Sequence, residues 1–134
     1  MNIADQIQTF LSSSAFGVVG ASTNRNKYGN KVLRCYLQNG KIAIPVNPRA
    51  STIAGVETAA SVEELPEGVD SISIITPPAI TLKIVEEAIK KGIKNIWMQP
   101  GAESREAIEL GRTNGLNVIA DGSCVLVVLG YHDH

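Results

Sequence analysis

The chain is predicted to fold as an open α/β domain, a doubly wound parallel sheet with helices on both faces. Three observations predict it. Short apolar runs alternate with segments of helical periodicity along most of the 134 residues. The first apolar run ends in a glycine and a polar loop that leads directly into a helix. The later apolar runs end in Asn47-Pro48, Thr76-Pro77-Pro78 and Gln99-Pro100-Gly101. In a parallel sheet these turns gather at one edge, outside the carboxyl ends of the strands, where ligands of such sheets bind.

Composition bounds the function. Hydrophobic residues make up 44% and charged residues 19%, which suits one globular domain over residues 1–134. A net charge of -1 excludes wholesale electrostatic capture of nucleic acid, and aromatics at 4% do not furnish base-stacking platforms. Basic character is local, in Arg25, Lys27, Lys31 and Arg34. The two cysteines, Cys35 and Cys124, form no CxxC and no metal-spaced cluster, so buried free thiols are expected. The start of the chain has no basic n-region, and no apolar run reaches membrane-spanning length. A cytoplasmic protein without a membrane segment is expected.

Taken in order, Ile3, Ile7, Phe10 and Leu11 have helical spacing and predict an N-terminal helix over about 3–13, ended by serines. Ala15 to Val19 is apolar on both faces, as a buried parallel strand is. Gly20 to Lys27 then forms a loop of small and polar residues, and a helix follows over Tyr28 to Gln38. Strand, loop and helix N-terminus is the arrangement that cradles phosphate, because backbone N–H groups and the helix dipole both face the ligand. Gly20 would allow close approach of a ligand, Ser22, Thr23, Asn24 and Asn26 would bond phosphate oxygens, and Arg25 and Lys27 would add charge. The pattern is neither GxGxxG nor a Walker loop. An ordinary strand-to-helix turn facing water is the alternative.

Asn39-Gly40 stops the helix, and Lys41 to Val46 is the second strand. No carboxylate follows it, unlike the NAD-binding pattern; Arg49 could meet a phosphate, or Asn47-Pro48 is a plain turn. Ile53 to Val56 reads as a short extended piece, and Ser61 to Leu65 as a capped helical turn with Glu64 three residues after Ser61. Asp70 to Ile75 is the third strand. Pro77 and Pro78 after it either form a rigid apolar floor for a ligand or open the next helix, whose stripe is Ile80, Ile84, Val85, Ala88 and Ile89. Lys94 to Met98 is the fourth strand, with Trp97 in the core. A helix begins near Glu103, and Leu116 to Ala120 is the fifth strand. Cys124 to Leu129 is read as an extra C-terminal strand or a tail packed on the core, and the two terminal histidines, His132 and His134, as a frayed end. Counting strands along the chain, the expected order is 3-2-1-4-5, with the Gly20 loop at the switch point.

The segments VVGASTNRNKYGNKV, IPVNP, ITPPA and IWMQPGAES, with Gly55 spaced between them, resemble the small stand-alone CoA-binding Rossmann proteins. These are related to the CoA-binding domain of the succinyl-CoA synthetase α-subunit. The resemblance runs from about Ala15 to Leu129 and implies coenzyme A or acyl-CoA as cofactor. It places Gly20, Ser22, Lys27, Tyr28 and Gly29 in the phosphate loop, where Ala21 and Arg25 are further candidate cofactor-binding residues, and Asn47 and Pro48 near the nucleotide. It places Thr76, Pro77 and Pro78 beside the adenine or pantetheine, and Gln99, Pro100 and Gly101 in the loop after the fourth strand. The synthetase's phosphate-carrying histidine has no counterpart here, and where some relatives have Asp-Arg-Cys this chain has Asp121-Gly122-Ser123-Cys124.

No paired carboxylates and no Ser/His/Asp or Cys/His set appear in the sequence. The expected function is therefore a non-catalytic CoA carrier, sensor or regulatory module, whose partner is a small nucleotide ligand, with a protein partner or a second copy also open. The alternatives are an NADP-binding reductase, or a subunit of an acyl-CoA ligase acting with another chain; Tyr28 and Asp121 would then be the candidate acid–base groups. A third is an interaction subunit that has kept the fold and lost the ligand.

Overall fold

A computed structural model of the chain describes residues 2–133. Helix α1 (Ile3–Leu11) starts where the Asn2 side chain accepts the Asp5 N–H at 2.9 Å, and ends at Ser12. Then come β1 (Ala15–Val19), α2 (Tyr28–Gln38) and β2 (Ile42–Val46). A two-strand hairpin of β3 (Thr52–Ile53) and β4 (Val56–Glu57) turns through Ala54 and Gly55, both at positive φ. The chain continues with β5 (Ser71–Ile74), α3 (Pro78–Lys91), β6 (Asn95–Met98), α4 (Arg105–Thr113) and β7 (Asn117–Ile119). Ser104 caps α4 by accepting the Ala107 N–H.

The main sheet is five-stranded and parallel throughout, in the order β2-β1-β5-β6-β7. Counted as in the sequence reading this is 2-1-3-4-5, so the expected 3-2-1-4-5 is corrected: the second strand is at the edge and the first lies inside. Pro45 gives the physical reason. It has no N–H to offer a neighbour, so β2 belongs at an edge. The connection from β2 then crosses β1 to reach β5. Gly17 clears its path, since a Cβ there would come within 3.0 Å of Leu65 and 2.9 Å of Ile72. The β1 loop still stands at the switch point, now between β1 and β5.

Each face of the sheet has its own core. One, under α1 and α2, holds Phe10, Phe16, Tyr36 and Trp97, with Phe16 stacked on Tyr36 at 4.8 Å and Phe10 edge-on to Trp97 at 5.3 Å. Ser73 also points to this face, and its hydroxyl pairs with Tyr36. The other core, under α3 and α4, holds Ile72, Ile74, Val85, Ile96 and Met98. The alternation of Ser71 and Ser73 with Ile72 and Ile74 along β5 sends each set to its own side.

Two further expectations are corrected. Ser61 to Leu65 makes successive turns, with Glu64 N–H to Ser61 O at 3.2 Å, and no helix. Of the two readings of Cys124 to Leu129, the extra strand is corrected and the tail packed on the core holds, with Val125, Leu126 and Leu129 in the cluster under α1 and α2. The Val125 N–H is taken by the side chain of Gln99, which turns the chain away from the sheet, and Leu126–Gly130 winds into one π-helical turn against α2. His134 lies outside the described residues.

Candidate functional site

The end of β1 is fastened to its neighbours at two glycines. Gly20 has φ +96, and a Cβ on it would lie 2.1 Å from the Ile75 carbonyl oxygen. A Cβ on Gly29, in the first turn of α2, would lie 2.1 Å from the Gly20 carbonyl oxygen. Both glycines thus serve contact between backbone segments. The expectation that Gly20 lacks a side chain in order to admit a ligand is corrected: the space is filled by the backbone of Ile75, just after β5.

These contacts draw the N-terminus of α2 up to the sheet edge and leave the Gly20–Lys27 loop folded over it. The Ser22 Oγ accepts the Asn24 N–H at 3.1 Å, and the Asn24 Oδ1 accepts the Asn26 N–H at 2.9 Å. Ser22 retains its own hydroxyl proton for donation, whereas the Asn24 carbonyl is used within the loop. Arg25 and Lys27 are exposed. Lys27 is the N-cap of α2 and offers no side-chain cap, so the first amides of that helix are not satisfied by a side chain from it.

A polar lattice braces the loop from below. Asn30, nearly buried, donates to the Ser22 carbonyl at 2.8 Å and accepts from Arg34 Nε at 2.7 Å. Arg34 Nη2 donates to the Arg25 carbonyl at 2.8 Å. From the second strand, Asn47 Nδ2 donates to the Ala21 carbonyl at 3.0 Å, while its Oδ1 accepts the N–H groups of Arg49 and Ala50. Both ends of the Asn47 amide are therefore committed to holding the turn. Sequence reading placed Asn47 near the ligand but missed Asn30 and Arg34 as braces. Their spacing of four on a helix, with both side chains on its buried side, was the available signal.

A cleft of about 330 Å³ lies on the carboxyl edge, lined by Gly20, Ala21, Asn47, Pro48, Thr76, Ile80 and other residues. It borders, at Glu87, a wider mixed-charge groove with Glu63, Lys90 and Lys91. A second recess of about 230 Å³ is lined by Ile75, Thr76, Pro77, Pro100, Gly101 and Ala102, so Thr76 joins the two. Thus Gly20, Ala21, Asn47, Pro48, Thr76, Pro77, Pro100 and Gly101 gather along one edge. Pro78 is instead the first helical residue of α3. The Gly101 N–H is held at 2.8 Å by the Glu103 carboxylate.

Gln99 is fully buried rather than lining a recess. Its Oε1 accepts the Tyr28 hydroxyl at 3.0 Å and the Val125 N–H at 2.9 Å. The Tyr28 Oη also lies 2.6 Å from Cys124 Sγ. The Gln99 Nε2 has no hydrogen-bond partner among the described residues. A buried donor left so costs about 1–3 kcal/mol. Burial, and next the Cys124 thiol, pushes Tyr28 well above the ordinary tyrosine range, so the phenol keeps its proton. Cys124 is half-buried, which corrects the expectation of a buried thiol. Cys35 is buried as expected, and burial, then the nearby Cys124, pushes its thiol up to about 11.

Comparison with known proteins fits this geometry. Residues 14–130 match the family model described as the CoA binding domain. The chain belongs to that family. A conserved hypothetical protein of known structure from Pyrococcus furiosus is 39% identical, covers 87% of this chain and 98% of its own, and superposes with a TM-score of 0.81. The alpha subunit of ADP-forming acetate–CoA ligase II from Pyrococcus furiosus is 28% identical over 128 residues, 87% of this chain and 28% of the subunit. The dinucleotide-forming acetyl-coenzyme A synthetase 1 of Ca. Korarchaeum cryptofilum, solved with phosphate and ADP, is 28% identical with a TM-score of 0.73. It covers 81% of this chain, which in turn spans 26% of it. This CoA-binding-family chain therefore spans little more than a quarter of these two ligases. Among its described residues no helix is long and apolar enough to cross a membrane.

Proposed function

We propose that this member of the CoA binding domain family binds coenzyme A or an acyl-CoA along the carboxyl edge of its sheet, as a carrier, sensor or regulatory module without chemistry of its own. The observation that carries the reading is the N-terminus of α2, which Lys27 leaves without a side-chain cap beneath a braced loop. Such a terminus favours phosphate through its amides and its dipole. Arg25 and Lys27 stand exposed beside it to pair with the remaining charge. Ser22 supplies a hydroxyl donor. The cleft from Ala21 to Ile80 takes the nucleotide, with Asn47 and Pro48 at its wall, and the recess at Thr76, Pro77 and Pro100 leads an acyl arm toward Gln99. The turn after β2 has no carboxylate for a ribose, and Asn47 is occupied, which favours CoA over NAD.

Calorimetric titration of the ligand-stripped protein with CoA, acetyl-CoA, NADPH and ATP at one salt concentration tests this. Micromolar or tighter binding of the CoA species alone is expected. Preference for NADPH would replace the reading with a reductase. A second role, as the nucleotide-binding part of an acyl-CoA ligase acting with another chain, is favoured by the 28% identity over 128 residues to the alpha subunit of an acetate–CoA ligase. Co-purification with a second subunit and ATP formation from acetyl-CoA, ADP and phosphate by the pair would support it.

A further inference from the structure

Tyr28 connects two parts of the carboxyl edge. Its backbone opens α2 directly after the polar loop, and its hydroxyl reaches Cys124 Sγ at 2.6 Å and Gln99 Oε1 at 3.0 Å. Cys124 follows β7 and is half-buried, whereas Cys35 is fully enclosed. Val125 N–H and Tyr28 O–H both donate to Gln99 Oε1, which fixes the orientation of the carboxamide. Its Nε2 is consequently left without an acceptor among the described residues. A buried, unpartnered N–H₂ group beside a partly open thiol calls for an acceptor brought from outside. The pantetheine arm of CoA carries two amide carbonyls and ends in sulfur. With its phosphates at the N-terminus of α2, such an arm would run along the edge on which Tyr28 and Gln99 stand.

We infer that Cys124 is a thiol–disulfide exchange site for the disulfide form of CoA, with Tyr28 and Gln99 as positioning residues for its sulfur. The inference rests on the CoA reading above. In the step, the Cys124 thiolate attacks one sulfur of CoA disulfide. A Cys124–CoA disulfide forms and the sulfur–sulfur bond of the reagent breaks. The other CoA leaves as a thiolate and takes up the proton that Cys124 gave. Cys124 is oxidised and the departing CoA is reduced, so no further oxidant enters. When the sulfur is charged, the Tyr28 hydroxyl, 2.6 Å away, turns from Gln99 Oε1 to donate to it, while the Val125 N–H still holds that oxygen. Binding of the nucleotide makes the attack effectively intramolecular, so CoA disulfide has an advantage over disulfides that the edge does not bind. The outcome is a covalently retained CoA under oxidising conditions and a released one under reducing conditions.

The reduced protein is incubated with CoA disulfide or with glutathione disulfide at equal concentration, and followed by intact mass and peptide mapping. CoA affinity is measured calorimetrically on the same preparation. A gain of one CoA less two hydrogens is expected, mapped to Cys124 and reversed by dithiothreitol. It should form at least tenfold faster than the glutathione adduct, be slowed by excess of a CoA analogue lacking sulfur, and be absent in Cys124→Ser. Tyr28→Phe should lower the maximal rate of exchange with CoA disulfide more than it raises the CoA disulfide concentration that gives half that rate. CoA binding without preferential exchange, or an adduct on Cys35, would overturn the inference alone. Failure to bind CoA would overturn it together with the reading beneath it.

Discussion

Arg34 Nη2 donates to the carbonyl of Arg25 across 2.8 Å, so a nearly buried side chain in the second turn of α2 holds the loop before its first turn. The same guanidinium bonds Asn30 Oδ1 and reaches Asp133 at 3.5 Å, with Tyr131 against its face. Replacing Arg34 by Met keeps the apolar stem and removes the donors, leaving the Arg25 carbonyl and Asn30 without them. A loss of about 1–3 kcal/mol of stability is expected, the scale of a buried group left unpaired. Amide exchange over residues 21–27 should accelerate more than over the β-strands, and CoA affinity should fall. Unchanged exchange in the loop would show that Arg34 does not hold it.

The two glycine contacts predict a graded series. Gly20→Ala places a Cβ against the Ile75 backbone at positive φ, so strain and overlap add, and a cost of about 2–5 kcal/mol is expected. Gly101 has φ +97 but open space around it, so Gly101→Ala should cost only about 1–2 kcal/mol, the conformational part. Urea midpoints of the two variants measure the difference. Equal midpoints would mean that the Ile75 backbone yields to the added methyl group.

Much of this was legible in the sequence because it depends on local rules. The polar loop between Val19 and Tyr28, the helix over Tyr28–Gln38 and the apolar strands follow from periodicity and turn chemistry. Strand order does not follow from pattern alone. Pro45 held the clue, since a strand missing a donor is best placed at the edge, and the 2-1-3-4-5 order obeys it. The Cys124 run was apolar enough for a strand, but one long-range bond from Gln99 to the Val125 N–H decided otherwise. Arg34 counted only as local basic character, because its contacts with the Arg25 carbonyl and the distant Asp133 are not displayed by a sequence. The gathering of Thr76 and Pro100 at one recess was inferable from topology; the Tyr28–Cys124 contact, across 96 positions, was not.

Lys27 tests the proposed phosphate site without disturbing the fold, because its side chain is exposed and does not cap α2. Lys27→Ala should weaken CoA binding by about 1–3 kcal/mol, the scale of a charge-assisted hydrogen bond. The loss should shrink as salt rises, since an exposed pair is screened. Calorimetry in low and high salt on both proteins reads it. Identical affinities at low salt would put the phosphates elsewhere on the edge.

The buried thiol of Cys35 predicts a lability at alkaline pH. Its pKa is raised to about 11, first by burial and then by Cys124, from the ordinary 9.0. Between those values the unfolded chain has lost the thiol proton while the folded chain keeps it. The unfolded state therefore binds fewer protons, and stability falls as pH rises through this window. The fall is complete once pH exceeds the folded value. Tyr36, raised by burial against its hydrogen bond to Ser73, adds to the decline above its ordinary 10.0. Urea midpoints should be level up to about pH 8 and decrease from pH 9. Cys35→Ser, which cannot ionise there, should flatten the slope between pH 9 and 10 while leaving the later decline that the tyrosines cause. A slope unaltered by the substitution would mean that Cys35 ionises as readily in the folded protein as in the unfolded chain.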